Sequence, residues 1–501
     1  ERGGRVKTAN LERRRRRDEM RWSLERIAEV LALKPPAGMP LRERIAGVSI
    51  DSRTIQPGEL YFAIRGQRHD GHDYVRAALV AGAAAAVVEH GRLGNFAPDL
   101  QDRLLGVDDT LKALGGFSRE VRRAWGAADH RLLAAVTGSS GKTTTKEILA
   151  ALVGSRMTVL RSEGNLNNLY GLPLTLCRLE EIHGAAVVEL GMSRRGELTE
   201  LAKIAEPEIG VVTNVAPAHL EFFASVDEIA LAKRELIENL SGAEPLSVLN
   251  ADDPRVTRFA AVARGRVVTF GRGEGADFRA SSIEDRGVEG SAFNFEWKGG
   301  RARLTLPLVG THNVMNALAA LAAASAWGIG AEEARTVFPR LAPTGHRGRV
   351  LRFREGFTVL DDCYNSNPAA LAAMIEWLAG VGGFERRILA AGEMLELGPA
   401  SASLHREAGR WAAGRVDWIL GVQGNAEEIV RGAIEAGHPA ERTRFFADAA
   451  EAAVFINELL RPGDLAVLKG SRGVRMERIL DLLTERYEQV EASAVGKRER
   501  R

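Results

Sequence analysis

VTGSSGKTTTKE, residues Val136–Glu147, is the stretch whose reading decides the fold. A phosphate loop of the usual kind reads G-x-x-x-x-G-K-[ST]. Here Val136 stands where the first glycine should be, and the nearest earlier glycine, Gly138, lies three residues before Gly141. The context is nevertheless right. An apolar run, RLLAAVTG, precedes the glycine turn, and a helix is expected from Lys142 onward. The N–H groups at a helix start have no partners of their own, so such a turn is a ready anion site. The pattern predicts that Thr137, Gly138, Ser139, Ser140, Gly141, Lys142, Thr143 and Thr144 surround a nucleotide. Backbone N–H groups from Gly138 to Lys142 would face phosphate, Lys142 would add a point charge, and the Thr143 hydroxyl would meet Mg²⁺. The bland alternative is a Gly/Ser-rich strand-to-helix turn. The flanking strand and helix argue for ATP.

Around this turn the chain repeats one texture. TLKALGGFSREVRRAW reads as a helix before it, and AAVVELG, IGVVTNV and SVLNADD are short, apolar and bounded by polar residues, as buried parallel strands are. Ligands of open parallel sheets sit at strand carboxyl ends. Glu189 and His219 follow two such ends, Glu189 in the place of a second magnesium ligand. Taken alone, a histidine like His219 is more often structural. Residues 276–309 alternate between Gly turns, which predicts a few antiparallel strands, and a helix is expected over Asn313–Trp327.

From Pro343 onward FTVLDD, RRILAAG, DWILGV and DLAVLKG alternate with helical stretches, a Rossmann-like pattern. Before residue 106, RWSLERIAEVLAL is helical, GVSIDSRTIQPGELYFAIRG reads as strands around a Pro-Gly turn, and YVRAALVAGAAAAVVE as helix, glycine, strand. This small α/β unit is expected to end near Glu89 with a linker toward Leu105. The expected architecture is therefore α/β in three domains, 20–105, 106–342 and 343–490. A basic extension, 1–19, and a charged tail, 491–501, flank them.

Composition bounds the function. At 501 residues, 45% hydrophobic and 27% charged, the chain is a soluble multidomain protein by its proportions. Two cysteines, Cys177 and Cys363, give neither a disulfide framework nor metal-ligand spacing, which fits a reducing cytoplasm. The longest apolar stretches, Ala77–Val88 and Ala317–Ala331, are too short and too broken to span a bilayer, and no secretory signal is evident. Net charge is +2, concentrated in the extension around Arg13–Arg17. That run could bind nucleic acid, but no aromatic platform accompanies it, so a disordered extension is expected and no nucleic-acid partner.

TGSSGKT, VELG, AHLE and GTHNVMNALAA, in this order, resemble the Mur ligases, the ATP-dependent amide-forming enzymes of peptidoglycan precursor synthesis. The shortened glycine loop belongs to that family's pattern. The resemblance runs from about Trp22 to Tyr487. GNLNNLYGLPLTL, LDDCYNSNP, AAGEMLELGPASASLHREAG and VLKGSRGVRME resemble the branch that joins D-alanyl-D-alanine to a UDP-muramoyl tripeptide. Cys363 and Ser366 are small-for-small departures from that branch's pattern.

The resemblance implies roles. Thr143, Glu189 and His219 would hold magnesium ions between ATP and a substrate carboxylate, with Lys233 carbamylated as a further ligand. Asn313 and Asn316 would lie on the adenine side, Asp362 on the ribose side, and Arg347 would reach the γ-phosphate from the third domain. Asn165 and Ser52 would meet the nucleotide-sugar substrate, Ser52 on the uridine side, and the GQRHDG loop the diphosphate. Asn365–Asn367 is the neighbourhood expected to select the dipeptide, and Pro343–Gly348 the hinge of a closing third domain. A monomer is expected. The plain alternatives are a solvated Lys233 on an amphipathic helix, Asn313 as a helix cap, surface arginines and a turn at Asp361–Asp362. Competing functions are a sister ligase adding one amino acid, a folylpolyglutamate synthetase, and a P-loop ATPase acting on nucleic acid.

Overall fold

The computed structural model describes residues 22–490 apart from Gln67, Asp129 and His219. The basic run Arg13–Arg17, the tail 491–501 and the predicted ligand His219 therefore lie outside the described residues. Of the GQRHDG loop, Gln67 does too.

The N-terminal sheet has four parallel strands in sequence order: β1 (Gly47–Ser49), β2 (Glu59–Phe62), β3 (Ala85–Glu89) and β4 (Leu104–Val107). The strands around Pro57-Gly58 are thus not a hairpin. Val48 pairs with Leu60 in a parallel ladder, and the connection is too long for a tight hairpin turn, so it carries the chain back to the starting end. The expected linker toward Leu105 consists of two short 3₁₀ turns, and β4 lies across the 105/106 boundary, pairing Val87 with Leu105.

The central sheet has nine strands, ordered β13-β12-β11-β10-β9-β8-β5-β7-β6. They are β5 (Leu132–Thr137), β6 (Val159–Arg161), β7 (Ala185–Glu189), β8 (Ile209–Val212), β9 (Leu246–Asn250), β10 (Arg266–Gly271), β11 (Phe278–Asp285), β12 (Ser291–Trp297) and β13 (Gly300–Leu306). All pairs are parallel except β11–β12 and β12–β13, so the antiparallel texture of 276–309 is realised as expected. β5 lies inside the sheet and is covered on both faces. Leu133 and Ala135 join one core cluster and Ala134 and Val136 the other, the period of two that a strand imposes. The helix Thr311–Ala324 is buried nearly all round, between the sheet and the helix Lys142–Gly154. Its alanines allow that close approach.

The third domain has seven strands, ordered β18-β17-β16-β19-β15-β14-β20. They are β14 (Arg349–Phe353), β15 (Thr358–Asp362), β16 (Arg386–Gly392), β17 (Trp418–Val422), β18 (Thr443–Phe446), β19 (Asp464–Lys469) and β20 (Gln489–Val490). β18 through β15 are parallel, and β14 and β20 add antiparallel edges. Each sheet presents its strand carboxyl ends as loops, and the second and third domains turn those loops toward each other.

Candidate active site

The glycine turn begins where β5 ends. Gly138 has φ +149° and Gly141 φ +83°. A Cβ at Gly138 would overlap the Thr213 hydroxyl, and one at Gly141 would overlap the Asn316 side-chain oxygen. Two glycines at this spacing are therefore required by close packing, and Val136, buried in the sheet, has no need to be a third. The turn is stitched to the loop after β8. Ser139 N–H donates to the Asn214 carbonyl and Ser140 N–H to the Asn214 side chain, both at 3.0 Å. This corrects the expectation that every N–H from Gly138 faces phosphate. Among the described residues, the N–H groups of the helix start, from Gly141 to Thr144, are left without a partner. Thr137 also turns inward, its hydroxyl donating to the Leu190 carbonyl at 2.9 Å.

Register delivers the first carboxylate. β5 and β7 pair in parallel with Val136 level with Glu189, so that side chain emerges beside the turn. Glu189 is only 4% exposed. It accepts from the Thr143 hydroxyl at 2.6 Å and from the Asn167 amide at 2.8 Å. Lys142 donates to the Gly138 carbonyl at 2.8 Å. Burial holds its pKa down, Arg347 pushes the same way, and Glu189 and Glu396 oppose both.

Lys233 lies on the helix Val226–Glu238, whose first turn is capped by the Ser225 side chain. It faces inward with Ile229 and Leu236 and is 1% exposed, so the solvated-lysine alternative does not describe it. Among the described residues it makes no hydrogen bond or ion pair. Burial first, then the Lys142 charge, hold its pKa well below the usual lysine range.

Asn313 and Asn316 lie in the first turns of the helix Thr311–Ala324, capped by Gly310 and not by an asparagine. Asn313 donates to the Val309 carbonyl at 2.8 Å, and Asn316 donates to Asn313 at 3.0 Å. From the third domain, Asp362 at the end of β15 accepts from Lys469 at the end of β19, at 2.7 Å. The Arg347 guanidinium lies 3.8 Å above the Tyr364 ring. Cys363 donates to Asp361 at 3.1 Å, as a serine hydroxyl in its place could. The domains touch here: the Asn367 amide donates to the Ser140 hydroxyl at 2.9 Å, and Glu221 N–H to the Glu396 carbonyl at 3.1 Å.

These groups line one cavity of about 420 Å³. Ser139 through Thr144, Asn165, Glu189, Lys233, Asn313, Asn316, Arg347 and Asp362, named from the glycine turn, the strand ends or the family resemblance, share it. Ser52 does not. Its neighbour Asp51 lines a separate cavity of about 600 Å³ between β1 and the 160–183 region, where hydrogen bonds from Arg53 hold the carboxyl down at about 2. Sequence reasoning missed Asn167, Asn214, His312 and Lys469 as site residues, although their motifs were in view, and it named Asn367 only for the dipeptide and not for its bond to Ser140. Only the distance between partners along the chain concealed them.

Family models match in the same three blocks. The Mur ligase family catalytic domain covers residues 44–120, the Mur ligase middle domain 136–324, and the Mur ligase glutamate ligase domain 346–472. A Bacillus subtilis UDP-N-acetylmuramoyl-tripeptide–D-alanyl-D-alanine ligase is 31% identical over 88% of this chain and 93% of its own. The chain belongs to the Mur ligase family. The Escherichia coli enzyme of that name is 32% identical over 87% of this chain and 93% of its own. Among solved structures, a MurF from Acinetobacter baumannii superposes with TM-score 0.82 at 29% identity, covering 93% of this chain and 99% of that one. A MurF ligase from Thermotoga maritima in complex with ADP gives TM-score 0.75 at 28% identity, covering 88% and 97%. In this Mur ligase the glycine turn, Glu189 and, from the third domain, Arg347 and Lys469 line one pocket.

Proposed function

We propose that the chain joins D-alanyl-D-alanine to a UDP-N-acetylmuramoyl-tripeptide, cleaving ATP to ADP and phosphate through an acyl phosphate. The observation that carries this reading is the cavity itself. A phosphate-loop helix start, a hydroxyl–carboxylate pair and a buried lysine from one domain meet an arginine and an aspartate–lysine pair from another. The relatives named for this reaction match along nearly the whole chain.

A carboxylate and an amine do not condense in water at neutral pH, so the carboxylate must acquire a leaving group. In the first step the tripeptide carboxylate oxygen attacks the γ-phosphorus, and the bond to the β–γ bridging oxygen breaks. Two anions meet there. Lys142, Arg347 and the N–H groups from Gly141 to Thr144 supply the opposing charge and dipole. In the second step the dipeptide amine attacks the acyl carbon, the bond to the phosphate oxygen breaks with its electron pair, and the amine loses its proton. Thr143 and Glu189, two hard oxygen donors 2.6 Å apart, fit Mg²⁺. Bound there, it would neutralise phosphate charge and polarise the reacting oxygens.

Lys233 suits carbamylation. Its amine is buried with no carboxylate partner among the described residues, and addition to CO₂ with loss of one proton gives an anionic oxygen donor in the cavity that Thr143 and Glu189 line. His219 belongs in the same group by its motif. Asn313 and Asn316 would frame the adenine side, Asp362 the ribose and Asn165 the nucleotide-sugar substrate. Ser52 would act at the uridine end only if the substrate reaches toward the second cavity.

Among the described residues no helix is long and apolar enough to cross a membrane. We place the reaction in the cytoplasm and expect a monomer with no nucleic-acid partner. A ligase adding 2,6-diaminopimelate and a folylpolyglutamate synthase share the fold at 20% and 17% identity, which carries no substrate with it.

The test is phosphate release from ATP with UDP-muramoyl tripeptide, with and without D-Ala-D-Ala, and with single amino acids as controls. Release that requires tripeptide and dipeptide together, yielding the UDP-muramoyl pentapeptide, supports the proposal. Release with one amino acid instead moves the chain to a sister branch.

A further inference from the structure

Arg347 sits on residues 343–348, the segment that joins the second and third domains. An arginine on such a connection has many rotamers, and aiming it at a phosphoryl group costs side-chain entropy. The structure fixes it in two stages.

The first stage is a clip on the backbone on either side of the arginine. Gly348 N–H donates to the Asp361 carbonyl at 2.8 Å, and Tyr364 N–H donates to the His346 carbonyl at 3.1 Å. Asp361 is fully buried. Its carboxylate receives His346 Nδ1–H at 2.9 Å on one oxygen and the Cys363 thiol at 3.1 Å on the other. The connection and the end of β15 are thereby one rigid piece, and residues 346–348 cannot swing independently of residues 361–364.

The second stage is a platform. Tyr364, raised by that clip, puts its ring 3.8 Å beneath the Arg347 guanidinium, well inside the distance at which a ring face attracts a cation. Both side chains line the cavity with Lys142, and the guanidinium lies close enough to depress the Lys142 pKa. The stack works against that repulsion. Without it, two cations facing one cavity would drive the more mobile arginine outward to solvent.

We infer that Tyr364 is a positioning residue, whose ring, set by the Asp361–His346 clip, holds the Arg347 guanidinium over the phosphate loop. This rests on the reading of Arg347 as the third-domain arginine that acts at the transferring phosphoryl group. A ring face binds a guanidinium with or without the phenol oxygen, so the aromatic face and not the hydroxyl carries the effect.

The experiment compares steady-state kinetics of Tyr364→Phe, Tyr364→Leu, Arg347→Ala, Arg347→Lys and the double variants Arg347→Ala/Tyr364→Leu and Arg347→Lys/Tyr364→Leu in the full chain. Thermal unfolding serves as the folding control. Tyr364→Phe should stay within about twofold of the parent. Tyr364→Leu should lower kcat by roughly 3- to 30-fold, the span a partly desolvated cation–π contact covers, with KM for ATP nearly unchanged. In either Arg347 background, Tyr364→Leu should cause no further loss.

Tyr364→Leu acting equally with and without Arg347 would overturn the inference, because the ring would then serve another group. Full turnover in Tyr364→Leu would overturn it too. Normal turnover in Arg347→Ala would remove the reading of Arg347 itself, a distinct failure. Should Tyr364→Leu not fold, Arg347→Lys still decides. It keeps the charge and loses the planar stack, so a kcat near that of the parent refutes the inference and a kcat near that of Arg347→Ala supports it.

Discussion

The hydrogen bond from Asn367 to Ser140 bridges the third domain and the phosphate loop at 2.9 Å, so it exists only when the two domains are together. Ser140→Ala deletes the acceptor, and Asn367→Ala deletes the donor. A neutral hydrogen bond contributes about 0.5–1.5 kcal/mol net, which biases the closed arrangement roughly 2- to 13-fold. The two variants differ in one respect. The Asn367 side chain also caps its helix, accepting from Ala370 N–H at 2.9 Å, and losing a cap costs about 1 kcal/mol of stability. Asn367→Ala should therefore lower kcat/KM and the unfolding temperature of the third domain, whereas Ser140→Ala should lower kcat/KM alone. A double-mutant cycle on kcat/KM should return a coupling of about 0.5–1.5 kcal/mol. Additive single effects, or an unchanged kcat/KM in Ser140→Ala, would refute the argument that this bond holds the reactive arrangement.

Thr143→Ala removes a hydroxyl donor 2.6 Å from Glu189 and should raise the Mg²⁺ concentration for half-maximal rate about tenfold, as a loss of about 1.4 kcal/mol implies; magnesium titration at saturating ATP reads it directly. Lys233→Met should lower turnover at least about a hundredfold, the scale on which one electrostatic stabiliser acts. ¹³C-bicarbonate should give the parent a carbamate resonance that the variant lacks. His405 is fully buried, accepts Met394 N–H at 2.8 Å and donates to the Ser401 carbonyl at 2.7 Å, and burial holds its pKa below the usual value. The unfolded imidazole takes a proton near about pH 6.5 and the folded one only lower, so this contribution is complete above that pH and lost as pH falls through the folded value. His405→Gln should thus lower the unfolding temperature at pH 7.5 and make it fall less steeply toward pH 5.5. Some slope remains, because burial also holds His312 and His183 down.

What could be read from the sequence were features whose cause is local. Gly138 and Gly141 announce a strand-to-helix turn because nothing else fits their backbone and neighbours, and Glu189 is legible because it ends an apolar run. The antiparallel stretch after residue 276 shows its alternation directly. The rest depends on which strands become neighbours. β1 and β2 look like a hairpin until their parallel register is known. Asn214 takes the Ser140 and Ser139 amides from 74 and 75 residues away, and Asn367 reaches Ser140 across 227. Lys469 meets Asp362 across 107 because β15 and β19 are adjacent in the sheet. No periodicity in the chain selects those partners. Lys233 is the sharpest case: its helix is amphipathic enough for a solvated lysine, and only the fold shows that it lies on the covered face.

The electrostatics of the cavity explain why the site is divided between domains. Lys142, Lys233 and Arg347 share one pocket, where the Arg347 charge disfavours protonated Lys142 and the Lys142 charge disfavours protonated Lys233. Had a single domain carried all three on fixed elements, that repulsion would weigh on the folded state throughout. Arg347 is instead tied to the third domain by the Gly348–Asp361 and Tyr364–His346 bonds, so on our proposal of a closing third domain the repulsion is met only on closure, when the triphosphate and the substrate carboxylate offset it. Anionic substrates thus favour the arrangement that completes the site, since a ligand shifts a conformational equilibrium by its differential affinity for the two states.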